Sequence, residues 1–477
     1  MNVRMTIYVL GILLAFEGVF LGLPVLTAVI YGEQQVWLFL ALALFCLIAG
    51  FLIASRKPKN RNIFARDGFV IVALSWIVMS VFGAMPFYIS GCIPHFIDAL
   101  FESVSGFTTT GASILSDVEA LPNSMLIWRS FTHWIGGMGV LVFIMAILPL
   151  SGASNMHIMR AESPGPSVSK LVPRVKTTAM LLYVIYIVLT LTEFILLAAG
   201  EMNCFEAANI SFATAGTGGF SVMNASMGCF SAYSQIVATV FMILFGVNFT
   251  CYFLLLTGKL KEAFSTELRV YLILIVASVG AITLNARHLF DSTGETVRHA
   301  SFTVSSIITT TGFSTADFDL WPSLSKTVLV LLMFIGACAG STGGGIKVSR
   351  FILLGKSMRN ELRTMLHPRQ VRKIRMDGRQ IEAETIRTIY AFLFCYILVC
   401  IVSILVVSLD GFDLTTNFTA VAATLNNIGP GLSRVGPTQN FALFSPLSKG
   451  ILIFNMLAGR LEIFPMILLI SPMTWKK

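Results

Sequence analysis

Four decapeptides decide how this chain folds: SGFTTTGASI (105–114), ATAGTGGFSV (213–222), SIITTTGFST (306–315) and ATLNNIGPGL (423–432). The seventh residue of each is glycine: Gly111, Gly219, Gly312 and Gly429. These glycines are spaced 108, 93 and 117 residues apart, and every decapeptide lies between two apolar stretches. Self-similarity of this kind marks a repeated supersecondary unit. The unit reads helix, loop, helix, with pairs at 68–90 and 125–148, 178–199 and 235–257, 270–285 and 327 onward, and 388–408 and 450–470.

Immediately before each decapeptide runs a moderately apolar segment of two or three helical turns, at 95–104, 204–212, 297–305 and 414–422. Such segments are too short to cross a bilayer. A half-helix that enters and returns fits them better. Irregular backbone at membrane depth is tolerated only where protein buries it or water reaches it, so four such loops imply a central aqueous path. Glycine opens backbone angles that let successive carbonyls turn toward one axis, and threonine adds a hydroxyl. A cation stripped of water needs several oxygens at once, which rings of carbonyls supply. The negative C-terminal ends of the short helices would face that ion and repel anions.

Composition agrees. Of 477 residues, 56% are hydrophobic and 12% charged, against about 25% charged in soluble domains. Apolar stretches recur near 6–30, 35–54, 68–90, 125–148, 178–199, 235–257, 270–285, 327–340, 388–408 and 450–470. Most are long enough to cross about 30 Å of hydrocarbon as a helix. The first begins at Thr6 and lacks a small-residue cleavage site, so it reads as a retained helix. The expected fold is therefore an all-α integral membrane protein: two leading transmembrane helices, then four helix/pore-loop/helix repeats around a pseudo-four-fold central pore. Its expected divisions are 1–60 for the leading helices and 61–150, 151–260, 261–365 and 366–477 for the four repeats.

The formal charge of +9 raises nucleic acid as a partner, but the placement of the bases argues for topology. Lys and Arg gather in 55–67, 149–177, 257–269 and 347–387, with none between Arg66 and Arg129 or between Lys176 and Lys259. The positive-inside rule makes those basic segments and both termini cytoplasmic. Segment 347–387 reads as a cytoplasmic loop too polar to bury a core. The outward segments carry Asp98, Glu102, Asp117, Glu119, Glu201, Glu206, Asp317, Asp319, Asp410 and Asp413, which either concentrate cations at a mouth or are ordinary solvated residues. Cys204 and Cys229 share an outward segment, and nothing in their spacing decides whether they pair.

At this point the chain resembles the TrkH branch of the Trk/Ktr/HKT superfamily of potassium transporters, over essentially its whole length. The residues that carry the likeness are the four loop segments, WRSFTHWIGGMGVLVF (128–143), ACAGSTGGGIKVSR (337–350) and AGRLEIFP (458–465). The resemblance implies potassium ions held by the backbones of Thr109 and Thr110, Thr217 and Gly218, Thr310 and Thr311, and Asn427 and Ile428, each pair just before its glycine. It further implies a bacterial inner-membrane location, a homodimer, and a cytosolic TrkA-type nucleotide-binding ring as partner; this chain itself carries no nucleotide fingerprint and calls for no organic cofactor. In HKT relatives a serine at the first filter glycine goes with sodium preference, so Gly111 favours potassium. The fourth loop, Asn-Asn-Ile-Gly, departs from Thr-Thr-Thr-Gly and makes the ring unequal.

In the third repeat the second helix should start near Leu324, meet Gly340, Gly343, Gly344 and Gly345, and resume at Val348. Clustered glycines break a helix at mid-membrane. Family resemblance assigns Gly340, Ser341, Thr342, Gly343, Gly344, Gly345, Ile346 and Lys347 to an intramembrane gating loop; the alternative is that small residues allow close helix packing. Gly340 and Gly345 have phosphate-loop spacing, but Lys347 arrives one place late and no strand precedes them. Arg460 falls about halfway along the last apolar stretch, where an arginine costs at least about 2.5–3.5 kcal/mol unless it faces protein or water. It is expected to line the pathway, or else to pair with another helix; the resemblance implies a positive residue just below the filter at this position. Glu462 points away from it on a helix. His133 and Asn248 read as hydrogen-bonding groups between helices. No nucleophile, base and orienting partner can be assembled around His133 or Glu102, so an enzyme is not expected. The functional expectation is potassium uptake, with a symporter coupled to protons or sodium as the alternative.

Overall fold

The structure, a computed structural model, describes residues 2–56, 58, 64–137, 139, 175–367 and 373–475. Two leading spans pack as a hairpin: Val3–Phe20, running on into Gly22–Tyr31, and Val36–Ala54. Each of the four units then opens with a long apolar helix: Ala65–Ile89, Val175–Ala199, Thr266–Ala286 and Ala383–Val407. Each of these descends into a short helix buried among the others, at Phe96–Phe107, Cys204–Gly216, Thr293–Ile308 and Leu414–Leu425. Ser, Asn and Asp caps start three of these four: the side chains of Asn203, Ser292 and Asp413 each accept a first-turn N–H.

The return helices differ from expectation. Among the described residues, six helices are long and apolar enough to cross a membrane, the two leading ones and the first of each unit. The stretches at 235–257 and 450–470 are not single crossings, and 327–340 is broken as its clustered glycines predict. Ala232–Phe245 and Phe249–Leu256 meet at 90°, Ser323–Ile335 stops at Gly336, and Pro446–Arg460 stops before Phe464–Ile470. In the first unit Asn123–Gly137 is helical, and the rest of 125–148 lies almost wholly outside the described residues.

The breaks have local causes. Gly336 stands at φ 69°, and Glu462 and Ile463 at 56° and 67°. Asn248 turns its side chain back to accept the N–H of Thr250, starting a new helix. At the same depth the return helices press on the short helices. A Cβ on Gly136 would lie 1.8 Å from the Phe107 carbonyl oxygen, and one on Gly459 2.0 Å from that of Leu425.

Segment 347–387 is also corrected. It contains a helix, Val348–Leu366, and an antiparallel hairpin pairing Arg375 with Gln380 and Met376 with Arg379. The helix is rich in strong helix formers and buries only its first turns. Asp377 and Gly378, both at positive φ, make the tight hairpin turn that Asp-Gly favours. The basic segment 149–177 and Lys57, Lys59 and Arg61 fall almost wholly outside the described residues.

Candidate functional site

The four short helices end alike. Beyond each, the N–H of Thr110, Gly218, Thr311 and Ile428 donates to the carbonyl five residues back, at 2.8–2.9 Å. The residue before it, Thr109, Thr217, Thr310 or Asn427, adopts left-handed backbone with φ between 54° and 58°. Two residues on, Gly111, Gly219, Gly312 and Gly429 return to positive φ, at 78°, 76°, 88° and 97°. The first half is a helix-ending motif usually made with glycine. A β-branched threonine in that region is costly and persists only where its surroundings impose it. These three threonines are fully buried.

The loops close on one another in cyclic order. A Cβ built on Gly111 would stand 2.0 Å from the Gly218 oxygen, one on Gly219 2.1 Å from the Thr311 oxygen, and one on Gly312 2.0 Å from the Ile428 oxygen. Gly429 completes the circuit, 2.8 Å from the Thr110 oxygen by the same measure. Thus the carbonyl just before each glycine lies against the glycine of the preceding loop. The fourth corner differs chemically: Asn427 Nδ2 donates to Thr110 Oγ1 and to the Met456 carbonyl, both at 2.9 Å. Thr110 Oγ1 also lies 2.8 Å from Thr108 Oγ1, a pairing repeated by Thr309 and Thr311.

Behind the first two loops sits an ion pair that sequence reasoning did not foresee. Glu102 is not at the mouth; it is 1% exposed and bound to Arg129 at 2.7 Å. Its carboxylate also accepts Ser113 Oγ and the Ile114 N–H, both at 3.0 Å, on the strand leaving Gly111. Arg129 donates to the Ser221 carbonyl and covers the Phe220 ring at 4.0 Å, just past Gly219. His133 Nδ1 donates to the Gly106 carbonyl at 2.8 Å while Nε2 accepts from the Phe220 N–H. Glu102→Ala is expected to lower stability by about 3–5 kcal/mol by stranding a buried arginine, and Glu102→Ala with Arg129→Leu to recover part of it; thermal unfolding of the detergent-solubilised protein measures both.

Most other outward acids serve as caps or clasps. Glu206 caps with Asn203, Asp413 caps its helix, and Asp98 pairs with Lys449. Asn224 is held by Asp117 and Glu119, fastening the first two outer loops together. The Asn224 amide holds the Asp117 carboxyl below its usual range. Cys204 and Cys229 are both free and exposed.

Beneath the ring lies the glycine-rich loop. A Cβ on Gly343 would meet the Thr309 oxygen at 2.9 Å, and one on Gly344 the Asn426 oxygen at 2.5 Å, so only bare backbone fits under the third and fourth short helices. The Gly344 N–H donates to Thr310 Oγ1 at 2.6 Å. The Gly340 carbonyl accepts from Phe249 N–H, Ser341 Oγ donates to the Cys338 carbonyl, and Thr342 Oγ1 donates to the Phe245 carbonyl. Gly345 stands at φ 72°, the Ile346 N–H reaches the Phe334 carbonyl, and Lys347 Nζ folds back on the Gly343 carbonyl. Asn248 packs beside Gly340 at the bend.

Arg460 ends its helix instead of sitting midway along one. From there it donates to the carbonyls of Thr342 at 2.7 Å, Gly137 at 2.8 Å, and Gly136. One guanidinium therefore joins the fourth, third and first units. Glu462 does not face it; that carboxylate pairs with Arg350, which also lies over Phe392.

Sequence reasoning missed three intramembrane acids, although an acid in an apolar run is itself a signal. Glu267 accepts backbone N–H groups from both sides of the glycine-rich loop. Glu17 and Glu193 are fully buried, and among the described residues neither oxygen of Glu17 finds a hydrogen-bond partner, while Glu193 lies beside Thr214.

Four helix–re-entrant loop–helix units closing on one another inside a bundle of membrane-length helices define a pore-loop membrane protein. A family model described as "TrkH: Cation transport protein" matches residues 34–477, and the chain belongs to that family. It is 37% identical to the Trk system potassium uptake protein TrkH of Salmonella typhimurium, covering all of both chains. It is 33% identical to TrkG of Escherichia coli K12, covering 100% of this chain and 99% of that one. The crystal structure of the potassium transporter TrkH from Vibrio parahaemolyticus is similar over the whole of both chains, with a TM-score of 0.89 at 34% identity. Membership puts the chain among multi-pass membrane transporters, not enzymes.

Proposed function

We propose that this protein carries potassium into the cell through the ring formed by Thr109–Gly111, Thr217–Gly219, Thr310–Gly312 and Asn427–Gly429. The observation that carries the reading is the repeated backbone: four loops with the same left-handed residue, the same positive-φ glycine and cyclic contact between glycine and carbonyl. Backbone oxygens arranged in that way replace the water shell of a monovalent cation. The loop Gly340–Lys347 is the gate, and Arg460 holds it shut while adding positive charge below the ring. An inside-negative potential then drives entry, at about 2.3 kcal/mol per 100 mV for each ion. The units 61–150, 151–260, 261–365 and 366–477 act as the four walls, with 1–60 outside them.

Flux into proteoliposomes tests this. Potassium and rubidium should pass, and sodium and choline should not; equal rates for potassium and sodium would end the proposal. The fully buried carboxyls of Glu17 and Glu193 are the observation that favours proton coupling instead. A reversal potential that follows the potassium gradient alone excludes it. We further propose, from the family, a bacterial inner-membrane location with cytoplasmic termini, a homodimer, and docking of a cytosolic TrkA-type ring on the basic segment 347–387.

A further inference from the structure

The geometry points to Glu267 as the positioning residue of the gate, through which the cytoplasmic hairpin Arg375–Gln380 acts on it. This rests on reading Gly340–Lys347 as a gate.

Glu267 lies in the first turn of helix Thr266–Ala286, 7% exposed. Its Oε1 accepts the N–H of Ala339 at 2.8 Å and that of Ser349 at 3.1 Å. Those two residues stand at the two feet of the glycine-rich loop, so one carboxylate oxygen draws the loop closed at its base. The N-terminus of a helix favours a carboxylate in its first turn.

The same helix turn is gripped from the cytoplasmic side. Asp377, at the tip of the hairpin, accepts both the N–H and the hydroxyl of Thr266, at 2.8 and 2.6 Å. Thr266 adjoins Glu267. The hairpin is held in turn by Lys356 Nζ, which donates to the Arg375 carbonyl from the helix that continues out of the gate. A continuous set of bonds therefore runs from an exposed hairpin to both feet of the intramembrane loop. Displacing the hairpin would shift the helix turn, and with it the oxygen on which the loop is hung. Coupling along such a chain is established only by measuring it.

Glu267→Ala should raise potassium leak into proteoliposomes roughly tenfold or more, because two hydrogen bonds to a charged acceptor are lost. Glu267→Gln retains an oxygen acceptor and should return most of the way to the wild-type rate. Asp377→Ala should leak in the same direction by a smaller factor, and should add little on top of Glu267→Ala. Cys338, buried beside Ala339, should become reactive to a permeant maleimide in Glu267→Ala, in a background where the other cysteines are serine. Arg460→Ala is run in parallel. If Arg460→Ala leaks but Glu267→Ala and Asp377→Ala match wild type, the positioning role is overturned. If all three match wild type, the gate reading itself fails. Should Glu267→Ala not fold, Asp377→Ala alone decides, and a wild-type leak from it overturns the proposal.

Discussion

Alanine in place of Gly111, Gly219 or Gly312 is expected to abolish discrimination between potassium and sodium, whereas Gly429→Ala should weaken it least. Each position requires a positive φ, between 76° and 97°, where a side chain costs about 1–2 kcal/mol even without neighbours. Neighbours decide the order. A methyl group on any of the first three would stand 2.0–2.1 Å from a carbonyl oxygen of the adjoining loop. That oxygen belongs to the residue just before the next glycine, so the clash displaces a ligand of the proposed ion site. At Gly429 the corresponding approach is 2.8 Å, the least severe of the four. Reversal potentials in mixed potassium and sodium solutions measure the effect. A selectivity ratio for Gly111→Ala equal to wild type would contradict the ring.

Arg460→Ala is expected to have the second large effect, a rise in resting potassium flux of about ten- to a hundredfold. The guanidinium donates to three carbonyls in two segments, Thr342 in the loop and Gly136 and Gly137 in the first unit. Hydrogen bonds from a charged group contribute about 1.5–3 kcal/mol each, so losing even one of these shifts a closed–open equilibrium by tenfold or more. Removing the charge also removes repulsion of a cation below the ring. Lys at 460 should fall between, since it keeps the charge but cannot hold three carbonyls in a fork. Rubidium uptake into proteoliposomes reads all three proteins. A lower flux in Arg460→Ala than in wild type would mean that the arginine supports the open path.

Local chemistry made much of this legible beforehand. The glycines at 111, 219, 312 and 429 announced themselves because only that residue takes positive φ freely, and a fourfold requirement left a fourfold trace. The short helices were visible as apolar runs too brief to span. The interruption after Ile335 was visible as clustered glycine. Glu102 was misplaced because its burial depends on Arg129, 27 residues away, and nothing local to either residue announces the pairing. The bends after Phe245 and Arg460 were missed for a related reason: the runs 235–257 and 450–470 are apolar throughout enough to read as single helices.

What sequence alone determined is everything that repeats or that lipid enforces: a membrane chain, four equivalent units, and the residues at which each loop must turn. Tertiary structure decided the rest: which loop touches which around the ring, that one arginine ties three units, and that Glu267 hangs the intramembrane loop. The reason is that these contacts are made largely to backbone N–H and carbonyl groups. Every residue carries those groups, so side-chain identity leaves no record of which of them is chosen.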